Sequence, residues 1–304
     1  MAHSHVAPME DARGLWFAAA GVLFASMCFG LVPFFARSLT EAGLAPHAVA
    51  FWRYVMTGLV LAAFLRAPWG AVAWGLGAGV ALGVGWVGYV RALEVVPVST
   101  VGVLYMTYPV FTVIFAWALF SDRPSVRAVV AAGLIVAGAV LAGSPAAVPV
   151  EMLPLLLVAL GAPLGFGFGI SVLVHRLTPL PPMARMAAVS LGAMIGLGPL
   201  MLATPGAEVF PQDGRGWALV FGIALGTALI PQLIYTICAP RVGASRAAVL
   251  GSIELPTMIA LGIVMFGERL TFAQAAGAAL VLAAILLTGS RKVRGVATTA
   301  STRR

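Results

Sequence analysis

The chain has 304 residues, 61% of them hydrophobic and only 9% charged, with a mean hydropathy of +1.03. Soluble domains carry about 25% charged residues, so this composition excludes a water-facing globular fold and makes lipid the solvent. The net charge of +8 does not point to nucleic acid, because the arginines stand singly between apolar runs with no aromatic-basic face.

A membrane helix needs about 20 predominantly apolar residues. Ten such runs follow one another: Leu15–Ala36, Val49–Leu65, Ala71–Leu93, Val98–Phe120, Val126–Leu141, Met152–Val174, Met186–Leu202, Trp217–Ala239, Ala247–Phe266 and Phe272–Leu287. Polar or proline-bearing breaks separate them, among them Thr40-Glu41-Ala42-Gly43, Arg66-Ala67-Pro68, Ser121-Asp122-Arg123-Pro124 and Thr204-Pro205-Gly206. The predicted fold is all-α and polytopic, with short loops that force neighbouring helices to pack antiparallel. The first run follows Arg13 at full length and is expected to be retained rather than cleaved. A basic, then small and polar, cytoplasmic tail is expected over 291–304. Cys28 and Cys238 both fall in apolar runs and read as small packing residues, with no CxxC or HExxH for a metal. No cofactor is expected.

The sequence also matches itself. Tyr89–Ser144 aligns without a gap on Tyr235–Ser290, at an offset of 146 residues. Identical pairs include Tyr89/Tyr235, Val96/Val242, Ser99/Ser245, Leu104/Leu250, Phe120/Phe266 and Arg123/Arg269, and Asp122 stands opposite Glu268. Weaker matches join Phe29-Gly30 to Phe168-Gly169, Arg37 to Arg176, and Arg53 to Arg185. The expected halves are 1–145 and 146–290, with five spans each. Since five is odd, the two copies lie upside down relative to each other, a 5+5 inverted repeat of the kind that supplies two interchangeable conformations around a midplane site. With the N-terminus in the cytoplasm, Arg13, Arg66, Arg123, Arg127, Arg176, Arg185, Arg241, Arg246, Arg291, Lys292, Arg294, Arg303 and Arg304 fall inside. Arg37, Arg53, Arg91, Arg215 and Arg269 fall outside or at the outer boundary, so 13 of the 18 basic residues lie inside. The positive-inside rule thus places both termini in the cytoplasm.

Glu254 is the one acid clearly inside a span. A bare carboxylate in hydrocarbon costs several kcal/mol, so it faces a cavity or a partner, either as a contact for a substrate amine or a coupled proton, or as a structural acid paired across helices. Trp86 and Tyr89, Tyr105 and Tyr108, and Gln232 and Tyr235 pair at i, i+3 on three spans. The plainer reading of such aromatics is interfacial anchoring, which suits Trp69, Trp74, Trp117 and Trp217. Three of the four rings Trp86, Tyr89, Tyr105 and Tyr108 carry a hydroxyl that needs a partner, which suits a cavity better. Pro33, Pro109, Pro163, Pro231 and Pro256 are expected to bend their helices, and freed carbonyls at membrane depth line cavities or meet protein. Pro109 and Pro256 sit one residue out of register between the copies. Glycines from Gly75 to Gly88 and from Gly161 to Gly169 predict close packing of the third and sixth spans.

The run Gly267-Glu268-Arg269-Leu270-Thr271, followed by Gly277 and a helix ending Leu286-Leu287, resembles the closing signature of an EamA-type repeat. Ser121-Asp122-Arg123-Pro124 is a degenerate copy with Asp for Glu, and Arg53 and Arg185 also fit the family's pattern. The resemblance spans nearly the whole chain and implies the drug/metabolite transporter superfamily. The aromatic middle spans are most similar to the YddG-type exporters of aromatic amino acids. The departure is Glu254-Leu255-Pro256, where many relatives place the acid directly before proline.

What the resemblance implies is a secondary exporter of amphipathic metabolites, aromatic or hydrophobic amino acids, in the bacterial inner membrane. With no nucleotide-binding motif, a proton gradient or downhill flux supplies the energy. The expected site is a wide cavity lined by Trp86, Tyr89, Tyr105, Tyr108, Gln232 and Tyr235, with Glu254 as a coupling candidate. The alternatives are a nucleotide-sugar or phosphate-ester exchanger, disfavoured because few arginines lie deep in spans, and a multidrug cation exporter. An enzyme is not expected, because His3, His5, His47 and His175 lie at ends or loops and Glu254 has no acidic partner.

Overall fold

The structure, a computed structural model, describes residues 8–144 and 148–289. The basic tail expected over 291–304, together with His3, His5 and Pro145, lies outside the described residues. Among the described residues every regular element is a helix. Large apolar side chains cover the outside: Leu202 is 90%, Phe272 89% and Val126 80% exposed. Each such side chain left in water forgoes about 1.5–3 kcal/mol, whereas in lipid it loses nothing.

In chain order the helices are α1 (Pro8–Gly30), α2 (Val32–Glu41), α3 (Pro46–Leu61), α4 (Trp69–Leu93), α5 (Val98–Tyr105), α6 (Tyr108–Phe120), α7 (Val126–Ala142), α8 (Leu153–Ala159), α9 (Gly161–His175), α10 (Pro182–Ala203), α11 (Gly206–Val209), α12 (Gly214–Phe221), α13 (Ile230–Val242), α14 (Ala244–Gly251), α15 (Glu254–Phe266) and α16 (Phe272–Gly289). A π-helical segment, Gly222–Leu229, joins α12 to α13. Eight helical stretches are long and apolar enough to cross a membrane, and the apolar 126–142 and 272–287 are shorter. These ten segments coincide with the ten runs read from hydropathy, to within a few residues at each end.

Proline explains where the stretches break. Pro33, Pro109 and Pro231 occupy the first two positions of α2, α6 and α13, and Pro163 and Pro256 the third positions of α9 and α15. A first-turn N–H has no intrahelical partner in any case, so proline starts a helix there at little cost. Each of these prolines lies inside one of the span-length helical stretches, at or beside the point where the helix is interrupted or passes from π to α. Among the described residues, Pro199 and Pro240 lie deeper inside their helices, α10 and α13.

α4 is the centre of the packing and lies against α9, α10, α3 and α8. Glycine makes this possible. A Cβ on Gly85 would collide with the Gly161 backbone, and one on Gly165 with Ala81 and Leu82, so α4 and α9 meet backbone to backbone as the glycine pattern predicts. The same argument extends beyond the expectation to α10, where Gly79 and Gly192 meet the facing backbones.

The two ends of the molecule are held differently. At the end carrying Glu268, α5 packs against α15 and α16. There the Ala45 N–H donates to the Glu208 carbonyl at 2.8 Å and the Trp52 indole to the Val209 carbonyl at 2.8 Å. At the end carrying Asp122, His175 stacks on Phe120 at 4.5 Å and Arg176 lies over the Trp74 and Phe120 rings at 5.3 and 5.5 Å.

Candidate functional site

Two spans break at the same point of the internal repeat. α5 gives way to α6 at Met106–Thr107, and α14 to α15 at Ser252–Ile253, the same 146-residue offset. The helices restart with Tyr108 and Glu254, which are therefore counterparts. Free backbone groups in the middle of a span are tolerated only where protein or an aqueous cavity satisfies them, so these breaks mark the part of the interior to inspect.

Around the first break the predicted rings come together. Trp86 lies 4.7 Å from Tyr89 and 5.8 Å from Tyr105, and Tyr89 lies 5.6 Å from Tyr105. Tyr105 continues to Tyr108 at 5.8 Å, and both contact Phe166, at 5.9 and 4.9 Å. The pairs are tilted or edge-on except Tyr105 with Phe166, which is stacked at 23°, and aromatic quadrupoles favour both edge-on and offset-stacked arrangements. Spacing on α4 puts Trp86 and Tyr89 on one face at i, i+3, and that face meets Tyr105 at the end of α5, with Tyr108 following at the start of α6. Trp86, Tyr89 and Tyr105 are buried, whereas Tyr108 and Phe166 are half-buried.

The expected wide cavity is therefore not open at Trp86, Tyr89 and Tyr105: in this conformation the rings fill the space themselves. Yet they are polar rings packed without polar closure. The Tyr89 hydroxyl and the Trp86 indole Nε1 are buried with no hydrogen bond of good geometry, as are Arg53 Nε and Thr57 Oγ1. Such orphans cost about 1–3 kcal/mol each and call for an explanation.

Arg53 is the residue that sequence reasoning placed elsewhere. It was expected at the outer boundary and paired with Arg185. The structure sets it two turns into α3, with its guanidinium carbon 4.3 Å from the centroid of Trp86. Its Nη1 donates to the Tyr54 hydroxyl at 3.1 Å and its Nη2 to the Thr227 carbonyl at 3.3 Å. That carbonyl belongs to the π-helical segment, a ladder disruption common at functional sites. Arg185 instead sits in the first turn of α10 and donates to the Leu180 and Thr178 carbonyls at 2.7 and 3.0 Å, a local loop contact. A lone arginine in an apolar span was the available signal for Arg53. Phe166 and Thr227 carried no signal that distinguishes them from core.

The second-copy candidates are more open. Tyr235 is half-buried and packs on Phe29 at 6.1 Å. Gln232, one turn earlier, is exposed on α13 and is not gathered with the buried rings. Glu254 is half-buried, and its carboxyl is within electrostatic range of the Tyr89, Tyr105, Tyr108 and Tyr235 hydroxyls and of Arg53. One cation and one carboxyl thus bracket a set of aromatic rings. The anchoring tryptophans divide as well: Trp69, Trp74 and Trp117 are exposed, but Trp217 packs on Trp52 at 5.3 Å. Cys28 and Cys238 are free thiols.

A profile of the EamA-like transporter family matches residues 16–144 and 153–290. The uncharacterized transporter sll1319 of Synechocystis sp. is 28% identical over 216 residues, which cover 66% of this chain and 62% of that protein. The chain thus aligns with less than two thirds of that relative's length. A solved crystal structure superposes with a TM-score of 0.61 at 20% identity, over 89% of this chain and 96% of its own, a likeness of fold.

Proposed function

The chain belongs to the EamA-like transporter family, a membrane transporter and not an enzyme, and from that premise we propose that it exports amphipathic metabolites, aromatic or hydrophobic amino acids, by alternating access. The observation that carries the reading is the ring cluster at two register-matched helix breaks, with its orphaned polar tips, Arg53 on one side and Glu254 on the other. Rings accept aromatic and aliphatic side chains by stacking and apolar contact. A polyanionic nucleotide sugar needs several cations, whereas here one guanidinium lies on the rings.

The 5+5 inverted architecture is part of the proposal. In its favour, contacts occur in matched sets: α4 with α9 and α13 with α1, α6 with α9 and α15 with α1, α10 with α4 and α3 with the π segment. One set is not matched. α5 packs against α15 at the Glu268 end, but the counterpart pair, α6 and α14, makes no such extended contact among the described residues. We read this as a conformation closed at the Glu268 end and accessible from the Asp122 end. The excess of arginine at the Asp122 end makes it the cytoplasmic one, with both termini inside and the bacterial inner membrane as the location.

A flux screen of amino acids in proteoliposomes, with and without a proton gradient, tests the function. Saturable efflux of aromatic or branched-chain amino acids is expected, and flux confined to organic cations or phosphate esters would favour the alternatives. Cysteine labelling in cells tests the layout: positions 66 and 241 are expected on the cytoplasmic face, and 41, 151 and 213 on the other. One loop on the wrong face breaks the inverted arrangement.

A further inference from the structure

Arg53 is a half-buried cation with an enclosed Nε and an unbalanced environment. Its two hydrogen bonds go to neutral oxygens, the Tyr54 hydroxyl and the Thr227 carbonyl. The ring faces of Trp86 and Tyr54, at 4.3 and 5.4 Å, supply only quadrupole attraction. Among the described residues no carboxylate forms an ion pair with it. Its Nε is buried without a hydrogen bond, and so is the Tyr89 hydroxyl, while the Trp86 Nε1 in the same cluster has only the neutral Tyr54 hydroxyl beside it. The Glu254 carboxyl is within electrostatic range but makes no ion-pair contact with Arg53, and a fork of guanidinium donors is shaped for direct contact with a carboxylate.

The three polar atoms share a chemistry. Arg Nε and Trp Nε1 can only donate, and a tyrosine hydroxyl donates as well as accepts. What they lack is an anionic acceptor. From this geometry we infer that Arg53 is the anchor for the carboxylate of the transported molecule, with Trp86 Nε1 and the Tyr89 hydroxyl as auxiliary donors and the neighbouring rings holding its apolar part. The inference rests on the aromatic-substrate reading and narrows it to molecules with a carboxylate head. The Glu254 carboxyl, across the cluster, is then free to face an ammonium group. Organic cations without a carboxylate leave Arg53 unpaired and are poor ligands. A site that hydrogen-bonds a polar group rejects analogues lacking it, because its buried donors remain unmet.

The test varies the ligand first. Binding of L-phenylalanine, phenylethylamine and 3-phenylpropanoate to the full-length chain in nanodiscs is followed by tryptophan fluorescence. The amino acid and the acid are expected to bind the unaltered protein about tenfold or more tightly than the amine, the range of a charge-assisted pair. Arg53→Gln is expected to bring phenylalanine down to the level of the amine, and Arg53→Lys to restore part of the difference. Equal affinity of phenylalanine and phenylethylamine for the unaltered protein overturns the anchor and leaves the aromatic site standing, a comparison that needs no variant to fold. Undiminished phenylalanine binding by Arg53→Gln also overturns it. No saturable binding of any of the three probes removes the aromatic-substrate reading and the anchor together.

Discussion

At matched places in the repeat the two copies spend the same geometry on different chemistry. The first copy ends α6 with Ser121 in the left-handed region, at φ 57°, followed by Asp122. The second ends α15 with Gly267 at φ 65°, followed by Glu268. The Glu268 carboxylate accepts the Val98 N–H at 2.5 Å, the Ser99 N–H at 3.2 Å and the Ser99 hydroxyl at 3.1 Å, and Arg37 stands 3.9 Å away. It thereby caps α5 from another span, where the helix dipole favours negative charge. Its side chain is 10% exposed, whereas that of Asp122 is 63% exposed and faces His175 at 3.7 Å.

The next turn repeats the contrast. Thr271 and Gln274 form a reciprocal capping box, and the Gln274 amide donates to the Thr100 hydroxyl at 2.8 Å. The matching residues Ser125 and Ala128 make only the forward bond, at 3.3 Å. Two copies of one pattern thus give one end with a carboxylate and an amide that latch across the halves, and one end with shorter side chains. An inverted repeat needs only a small energetic difference between its ends to settle in one state, and a cap or two supplies it.

The comparison can be broken at several points. The largest effect is expected at the breaks themselves, where the first copy has Tyr108 and the second Glu254. If the carboxyl carries the coupled proton, Glu254→Gln abolishes accumulation against a gradient and leaves passive exchange partly intact, as measured in proteoliposomes under both conditions. Undiminished proton-driven accumulation assigns the residue a structural role and favours downhill export.

Next comes the latch. Glu268→Ala removes a cap worth about 1–2 kcal/mol, enough to shift the balance of the two states about tenfold. A reporter cysteine replacing the buried Val98, in a chain with Cys28 and Cys238 changed to alanine, is expected to react about tenfold faster in that background. Unchanged labelling shows that the cap does not hold this end closed.

A smaller effect is expected at Tyr89. Its hydroxyl is buried and unpartnered, so Tyr89→Phe leaves the melting temperature unchanged or slightly raised, while substrate affinity falls several-fold, about 0.5–1.5 kcal/mol for one hydrogen bond. Loss of stability without loss of affinity makes the ring a packing residue.

The smallest change is Ser121→Gly. It relieves a left-handed non-glycine residue and stabilises the chain by about 1 kcal/mol, read from thermal unfolding. No gain shows that the Ser121 cap was not strained.

The sequence by itself determined the helices, their number to within the two shorter ones, and the family. Apolar runs of span length have no stable alternative in lipid, and the repeat offset of 146 residues sets Pro109 and Pro256 one residue out of register between the copies. It also determined that α4 and α9 touch, because glycine at those positions admits a backbone and little else. Tertiary structure alone decided that Trp86, Tyr89 and Tyr105 close on one another, that Gln232 stays exposed, and that Arg53 belongs to the rings while Arg185 belongs to a loop. The two arginines look alike along the chain, and hydropathy registers only that a charge interrupts an apolar run. Which neighbours surround that charge depends on how α3, α4 and the π segment cross, a matter of long-range packing that no local pattern contains.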